Sequence, residues 1–573
     1  MVKIALITPV KKIDYLTETL IDGLVSLKKE GQVEFLSSSA KYPSRIHNFK
    51  DSLLDRKSFL DFARTADFIF LSWGKDDTDF ALANKINLWG KTIFIDGSEL
   101  GKNRRYDKDV LKSVSEGEWL DNGKINEEML KRCLLYFRRE KPYVEGVIPL
   151  PYGIESRYHK NYSLEANKDV DFVCIFGQED FPPLRRDVRE YLEEYCLRNG
   201  FKCITKKTKT QDEFYELLAR AKVGVSVGGG GYDTARFWEI LGNNCLLMTE
   251  AIDIFTNPEQ ALPYKRIIEF SDLEGFKTKL AEVGDMLRTS YAESELGGEY
   301  ETILRDHSAV ARVKTIISSA ESRLAEISNS CSVVVSSCDG FEDAWQPFFR
   351  LFFKYWPDCP FPVYLITNGK RYDDERVRTI AISPDRKWSS NLKETLRQID
   401  TQYVIYFQED YFLNKKIDTA TIISLVSYAQ KTNLACLRLF PSPGPNTSYS
   451  EFPNLGKISD DAPYRISTQT ALWNKEYLDG ILVDGETGWD FELKTHSDQN
   501  RRLFLSVKKP VIQYVKSTGI KKGRWTFDAI QLFKKEGIDI STSQRLSERR
   551  FEYTKRRIRS VPILGKFIKY LWK

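Results

Sequence analysis

Val404 to Phe407 is a run of four apolar residues that predicts a buried strand. It ends in two adjacent carboxylates, Glu409 and Asp410, before Tyr411, Phe412 and Leu413 take the chain back into a core. A buried strand that delivers acids to its C-terminal end places them where an open α/β sheet binds its ligand. Carboxylate oxygens there suit Mg2+ or Mn2+, and such a cation suits a diphosphate. An ordinary solvated turn would use the same residues, so the surrounding sequence has to decide.

Three other groupings could do chemistry. The strand-like Val223 to Val227 runs into Gly228, Gly229, Gly230 and Gly231, and then into a helical segment with Arg236 in its first turn and Glu239 one turn later. Such a turn lets backbone approach a phosphate, which the following helix N-terminus favours. A flexible loop is the alternative. Trp489-Asp490-Phe491-Glu492 sets two acids among aromatic residues. Residues two apart diverge in a strand or a helix, so one acid enters a site and the other makes a structural contact. A carboxylate desolvated by rings gains basicity and suits a general base, while a helix-start cap is the alternative. Lys522 and Arg524, in the loop Gly519 to Trp525, offer cations to phosphates or form a solvated basic turn. His47, His159, His307 and His496 form no cluster.

The elements that must position these residues alternate strands with amphipathic helices, which argues for α/β units with parallel sheets. The chain divides near residue 325. Each half opens with an apolar strand, Lys3 to Ile7 in the first and Val333 to Val335 in the second. Val147 to Gly153 reads as a proline-punctuated hinge inside the first half. The expected domains are 1–148, 149–325, 331–543 and a tail, 544–573. No internal repeat links the halves.

Composition bounds the rest. The chain has 573 residues, enough for three or four domains. With 29% charged and 42% hydrophobic residues it is an ordinary globular chain. Its nine cysteines form no C-x-x-C pair and no zinc spacing, which favours free thiols in a reducing cytoplasm. Ile4 to Ile7 reads as a first strand rather than a signal peptide, and no 18-residue apolar run predicts a membrane span. The net charge of +5 hides an asymmetry. Arg545 to Lys573 holds ten basic and two acidic residues, so the remainder sums to −3.

Residues 1–325 resemble a two-domain GT-B glycosyltransferase related to spore-coat maturation enzymes. The resemblance rests on Pro149-Leu150-Pro151-Tyr152-Gly153, on Tyr232 to Leu247, and on His307 with Arg312. It implies that Glu239 holds the donor ribose and that Gly229, Gly230, Gly231 and Arg236 lie near the diphosphate. One position departs. Retaining relatives often carry a second Glu eight residues before the first, where Gly231 stands here. The second half, Ser332 to Asp539, resembles a GT-A glycosyltransferase of bacterial polysaccharide synthesis. It does so through Asp339 to Trp345, Tyr355 to Pro360, Trp388 to Leu392, Gln408-Glu409-Asp410, Tyr464 to Trp473 and Gly488 to Glu492. Gln408 stands where such enzymes carry the first acid of a D-x-D motif, so the resemblance implies Asp410, helped by Glu409, as the ligand of Mn2+ or Mg2+. It also implies Ser337, Asp339 and Asn391 as nucleotide contacts, and Asp490, ahead of Glu492, as the base of an inverting transfer.

The tail carries Leu564, Phe567, Ile568, Leu571 and Trp572 on one helical face with basic residues off it, a pattern suited to an anionic membrane surface. Docking on the protein's own core is the alternative, and no nucleic-acid motif accompanies the basic residues. The expected fold is therefore a GT-B pair of Rossmann-like domains, a GT-A domain and a basic amphipathic helix. The expected function is bifunctional transfer of sugars from nucleotide-sugar donors to a lipid-linked glycan acceptor, as in capsule or O-antigen synthesis. The enzyme would sit in the cytoplasm, peripheral on the inner face of the cytoplasmic membrane, and bind no nucleic acid. The rival expectations are a single active GT-A half with a GT-B-like acceptor-binding module, a non-enzymatic glycan-binding scaffold, and transfer of another activated group such as a polyol phosphate.

Overall fold

The computed structural model describes residues 1–9, 13–39, 41–49, 56–73, 77–98, 125–140, 145–163, 167–178, 181–251, 262–493, 502–515, 518–541, 543 and 545–548. His496 and the basic tail from residue 549 onward lie outside the described residues. The chain forms two units, Met1–Arg323 and Leu324–Lys573.

The first unit holds two parallel sheets. In the first, β1 (Val2–Ile7), β2 (Val33–Ser37), β3 (Phe68–Trp73), β4 (Thr92–Asp96), β5 (Leu135–Arg138) and β6 (Val147–Pro149) take the order β2-β1-β3-β4-β5-β6. In the second, β7 (Val170–Val173), β8 (Cys203–Ile204), β9 (Ala221–Ser226), β10 (Leu246–Glu250) and β11 (Ile267–Phe270) take the order β11-β10-β9-β7-β8. Parallel strands covered on both faces need continuous apolar runs rather than alternation. Ile4 to Ile7 are all fully buried. The first three residues of the hinge expected over Val147 to Gly153 are a strand instead. Val147–Pro149 pairs with β5 at the sheet edge, where a missing proline N–H costs no ladder bond. The connection to the second sheet then runs through Pro151 to Ile154.

The second unit opens at the end of the helix Ala309–Ser330. Its main sheet has nine strands: β12 (Cys331–Ser336), β13 (Val363–Thr367), β14 (Val377–Ala381), β15 (Tyr403–Gln408), β16 (Cys436–Arg438), β17 (Thr447–Ser448), β18 (Leu455–Lys457), β19 (Ala471–Asn474) and β20 (Phe504–Val507). The order is β14-β13-β12-β15-β19-β16-β20-β18-β17. β12 to β15 run parallel, β19 is antiparallel to β15 and β16, and β16 is parallel to β20. The carboxyl ends of β12, β15, β16 and β20 thus share one rim, together with the start of β19. A separate hairpin, β21 (Ile520–Lys521) and β22 (Arg524–Trp525), follows.

Strand order reverses between β7 and β9 in the second sheet and between β12 and β15 in the third, and open sheets bind ligands at such points. β15 is held at its switch point by fully buried rings. Phe407 packs edge-on against Phe348 at 6.0 Å and Phe352 at 5.8 Å. Phe407→Ala is expected to cost about 3–5 kcal/mol of stability, as deletion of a fully buried ring does, measured by urea unfolding of the full chain.

Candidate functional site

Glu409 and Asp410 fall at the end of β15, beside Ser336 of β12, which pairs with Gln408. Both acids are buried. One Asp410 oxygen accepts the Ile520 backbone N–H at 3.0 Å, and the Asp410 carbonyl accepts the Gly519 N–H at 2.8 Å. The other carboxylate oxygen, Oδ1, is buried without a hydrogen-bond partner. The Glu409 carboxylate accepts no bond from another residue among those described. Burial, then the Asp410 charge, pushes the Glu409 carboxyl up. Burial pushes Asp410 up as well, against its backbone hydrogen bonds. An orphaned buried oxygen beside a second buried carboxyl that no other described residue bonds fits a divalent cation. Among the described residues no group of three His, Cys, Asp or Glu side chains could hold a metal. Two carboxylates suit a cation that takes its remaining ligands from phosphate and water.

Gly519 makes this geometry possible. A Cβ there would lie 2.1 Å from the Phe412 ring and 2.7 Å from the Asp410 carbonyl oxygen. The Phe412 ring is itself fully buried and packs against Trp525 and Phe533. Asp410 therefore fixes the start of the β21–β22 hairpin. Lys522 turns its tip with φ at +48° and is exposed, while Arg524 donates to the Ser547 carbonyl at 3.4 Å. The cation whose charge pulls both acids back down is Arg545, which the sequence groups with the basic tail. It bonds both Asp343 oxygens, at 2.9 and 3.0 Å, and the Gly340 carbonyl at 3.2 Å.

The residues expected to touch nucleotide border the same switch point. Ser337 Oγ accepts the Trp345 indole N–H at 2.8 Å. Asp339 accepts the backbone N–H groups of Asn368 at 2.9 Å and of Gly369 and Lys370 at 3.3 Å. Burial pushes its carboxyl up, but these bonds outweigh it and hold it below the usual range. Asn391 is buried and spends its amide on Arg386 N, at 3.0 Å, and Asp385, at 2.8 Å.

The two acids of the aromatic motif separate as their spacing requires, but the desolvation expected for Asp490 is absent. Trp489 is 72% exposed and shields nothing. Asp490 is itself exposed and accepts Thr487 N at 2.9 Å and Thr487 Oγ1 at 2.8 Å, bonds that hold its carboxyl below the usual range. It caps its own helix, Gly488–Leu493. Glu492 points the other way. Its Oε1 accepts Thr468 N at 2.6 Å, Thr468 Oγ1 at 2.7 Å and Ser467 Oγ at 3.0 Å, and its Oε2 accepts no bond among the described residues. Thr468 leads into β19 on the rim that carries Asp410, and its carbonyl accepts the Tyr411 hydroxyl at 3.2 Å.

In the first unit the glycine run follows β9 at the other switch point. Gly228 N donates to Glu250 at 2.9 Å, and Gly229 N to the Gly231 carbonyl at 2.9 Å. The sequence suggested glycine so that a ligand could come close, but at two positions the chain's own charges come close. A Cβ on Gly229 would lie 2.6 Å from the Arg185 guanidinium, and one on Gly231 would lie 2.1 Å from Glu140 and 2.5 Å from Arg139. Gly230 stays partly open. Glu239 is buried and pairs with Arg236 at 2.9 Å while accepting the Tyr215 hydroxyl at 3.3 Å. Arg236 also lies 3.7 Å over the Phe214 ring. Arg185 was not singled out by its sequence context. Its guanidinium reaches the Val227 and Gln178 carbonyls, and burial with the nearby Arg236 charge brings it down to about 10. Two guanidiniums gathered beside a glycine turn suit an anion.

Behind that turn, Asp233 accepts Tyr152 N at 2.8 Å and the Trp238 indole N–H at 2.8 Å. Arg312 donates to the Pro151 and Tyr152 carbonyls at 3.1 Å and meets His307 Nδ1 at 3.2 Å. Burial, then the Arg312 charge, holds His307 down to about 3, so its ring is neutral.

No protein-family model matches the chain, and no curated protein does. Among solved structures, a Listeria monocytogenes protein named for UDP-N-acetylglucosamine 2-epimerase is similar at 8% identity over 57% of this chain and 97% of its own, with a TM-score of 0.35. A glycosyltransferase from Rickettsia africae is similar at 11% identity over 56% of this chain and 98% of its own, with a TM-score of 0.35. Anabaena HepE, solved with UDP, is similar at 9% identity over 56% of this chain and 100% of its own, with a TM-score of 0.31. TM-scores this low do not establish a shared fold.

Two outcomes test the geometry. Gly519→Ala is expected to lower stability by about 1–3 kcal/mol through overpacking against Phe412, read by thermal melting. Burial is the chief cause that pushes the Asp233 carboxyl up to about 6 from an ordinary 3.8. An acid raised in the folded state stabilises fully below its unfolded value and loses that contribution as pH rises through its folded value. Between pH 4 and pH 6 this amounts to about 2 kcal/mol, so the melting temperature of Asp233→Asn is expected to fall less over that window than that of the wild type.

Proposed function

We propose that the second unit transfers a sugar from a nucleotide-sugar donor to a glycan hydroxyl, with the donor diphosphate at the switch point between β12 and β15. The observation that carries this reading is the buried Glu409–Asp410 pair with its unbonded oxygen. Asp410, with Glu409, would hold Mn2+ or Mg2+, which when bound would stabilise the charge of the departing diphosphate. Ser337 and Asp339 shape the nucleotide side of that point, with Asn391 setting the Asp385–Lys387 loop nearby. Glu492, fixed through one oxygen and without a partner at the other among the described residues, would take the proton of the attacking hydroxyl, which would make the transfer a single displacement with inversion.

The first unit is read as a second nucleotide-sugar site, with Arg185, Arg236 and the open edge of the glycine turn at the diphosphate and Glu239 at the ribose once it leaves Arg236. Two sites in one chain make it bifunctional. The resemblance to enzymes of bacterial polysaccharide synthesis supports a lipid-linked acceptor, as in capsule or O-antigen synthesis, and the basic amphipathic pattern of the tail supports contact with an anionic membrane. Among the described residues no helix is long and apolar enough to cross a membrane. A second reading, in which the first unit only binds acceptor, is favoured by the closure of Glu239 on Arg236 and by Gly231 standing where retaining relatives often carry an acid.

Turnover of a panel of nucleotide sugars with Mn2+, read as released nucleoside diphosphate, tests these readings. Glu492→Gln is expected to lower kcat by about 10²–10⁴ with donor KM kept, the range for loss of a general base, while Asp490→Asn changes it less than about tenfold. Glu239→Gln is expected to silence a donor different from the one that Asp410→Asn silences. If Glu239→Gln spares all transfer, the first unit is a binding module. If no donor turns over, the transferase reading fails.

A further inference from the structure

The rim of the second unit carries a feature that nucleotide and metal leave unused. Beyond Asp410, Tyr411 stacks on Tyr514 with centroids 4.5 Å apart and planes 4° apart, and Tyr514 stacks on Phe440 at 4.4 Å and 29°. The three rings lie near-parallel in a row. The stack starts in the core with buried Tyr411 and Tyr514 and ends at Phe440, which is partly open to solvent.

The turn that clamps Glu492 also fixes the stack. Tyr411 OH donates to the Thr468 carbonyl, Tyr514 OH to Gln469 Oε1 at 2.7 Å, and Phe440 N to the Thr470 carbonyl at 3.3 Å. Behind Phe440, buried Arg438 spends its guanidinium on backbone carbonyls, reaching Pro443 at 2.7 Å, Arg465 at 2.9 Å and Tyr464. It thereby locks the loop after β16 against a turn in which exposed Tyr464 is held at a φ of +54°.

We propose that the Tyr411–Tyr514–Phe440 stack is the platform for a pyranose ring of the acceptor, which lies on Phe440 and offers a hydroxyl to Glu492. This rests on the reading of Glu492 as the base. The electron-rich ring face attracts the polarised C–H bonds of a sugar. A nucleobase would also stack there, but the switch point lies on the β12 side of β15, whereas the stack lies toward β19 and β16.

Saturation-transfer NMR of the full-length protein with methyl glycosides of glucose, galactose and N-acetylglucosamine tests this, with uridine as the competing probe. The expected result is transfer to ring C–H protons of at least one glycoside in the wild type. It falls at least fivefold in Phe440→Ala, recovers in Phe440→Tyr, and resists uridine. Thermal melting identifies a Phe440→Ala variant that fails to fold, in which case Phe440→Leu, which keeps the volume without the ring, replaces it. Equal transfer in the folded variant, no transfer in the wild type, or displacement by uridine overturns the platform. Nucleoside diphosphate release by wild type and Glu492→Gln is read on separate samples. If Glu492→Gln loses kcat while the Phe440 dependence fails, only the platform falls; if Glu492→Gln turns over like the wild type, the reading beneath falls with it.

Discussion

The second unit depends on one constraint: two adjacent carboxyls are buried at the end of a strand that is itself buried on both faces. Charge in such a place is costly unless it is paired or neutralised. The fold meets half of that demand. One Asp410 oxygen and its carbonyl take the two N–H groups that start the β21–β22 hairpin, and Arg545 brings a positive charge near. Among the described residues the other Asp410 oxygen has no hydrogen-bond partner, and the Glu409 carboxylate accepts no bond from another residue. The close passage at Gly519 and the ring wall of Phe348, Phe352 and Phe412 hold the carboxyls in place when the demand is unmet.

The switch point of the first unit gathers buried charge of both signs. Arg236 pairs with Glu239, Glu250 faces Arg185 across the turn, and Arg139 and Glu140 meet at Gly231. The glycine turn is narrow because the chain's own Arg185, Arg139 and Glu140 press on it. Each unit thus gathers buried charge at the point where its sheet opens.

The strands and the acids at the end of β15 were legible because a short apolar run followed by carboxylates is a local pattern. The place of the acids at a switch point was not, since the order β12 to β15 to β19 comes from pairing between distant segments. The spacing of Asp490 and Glu492 revealed that they diverge. Which one turns inward is decided by Ser467 and Thr468, some 24 residues earlier, and so is invisible locally. Arg545 looked like the first residue of a basic tail because its partner Asp343 lies 202 residues away. The glycine run was visible, but not that Gly231 is needed for Glu140 and Arg139.

The most direct measurement is a titration of Mn2+ into the full-length protein by electron paramagnetic resonance, with and without UDP, comparing the wild type with Asp410→Asn. The account predicts one weakly held ion in the wild type, tightened at least tenfold by the nucleotide, and neither effect in the variant at the second unit. Tight binding that survives Asp410→Asn, or no binding even with UDP present, would contradict it.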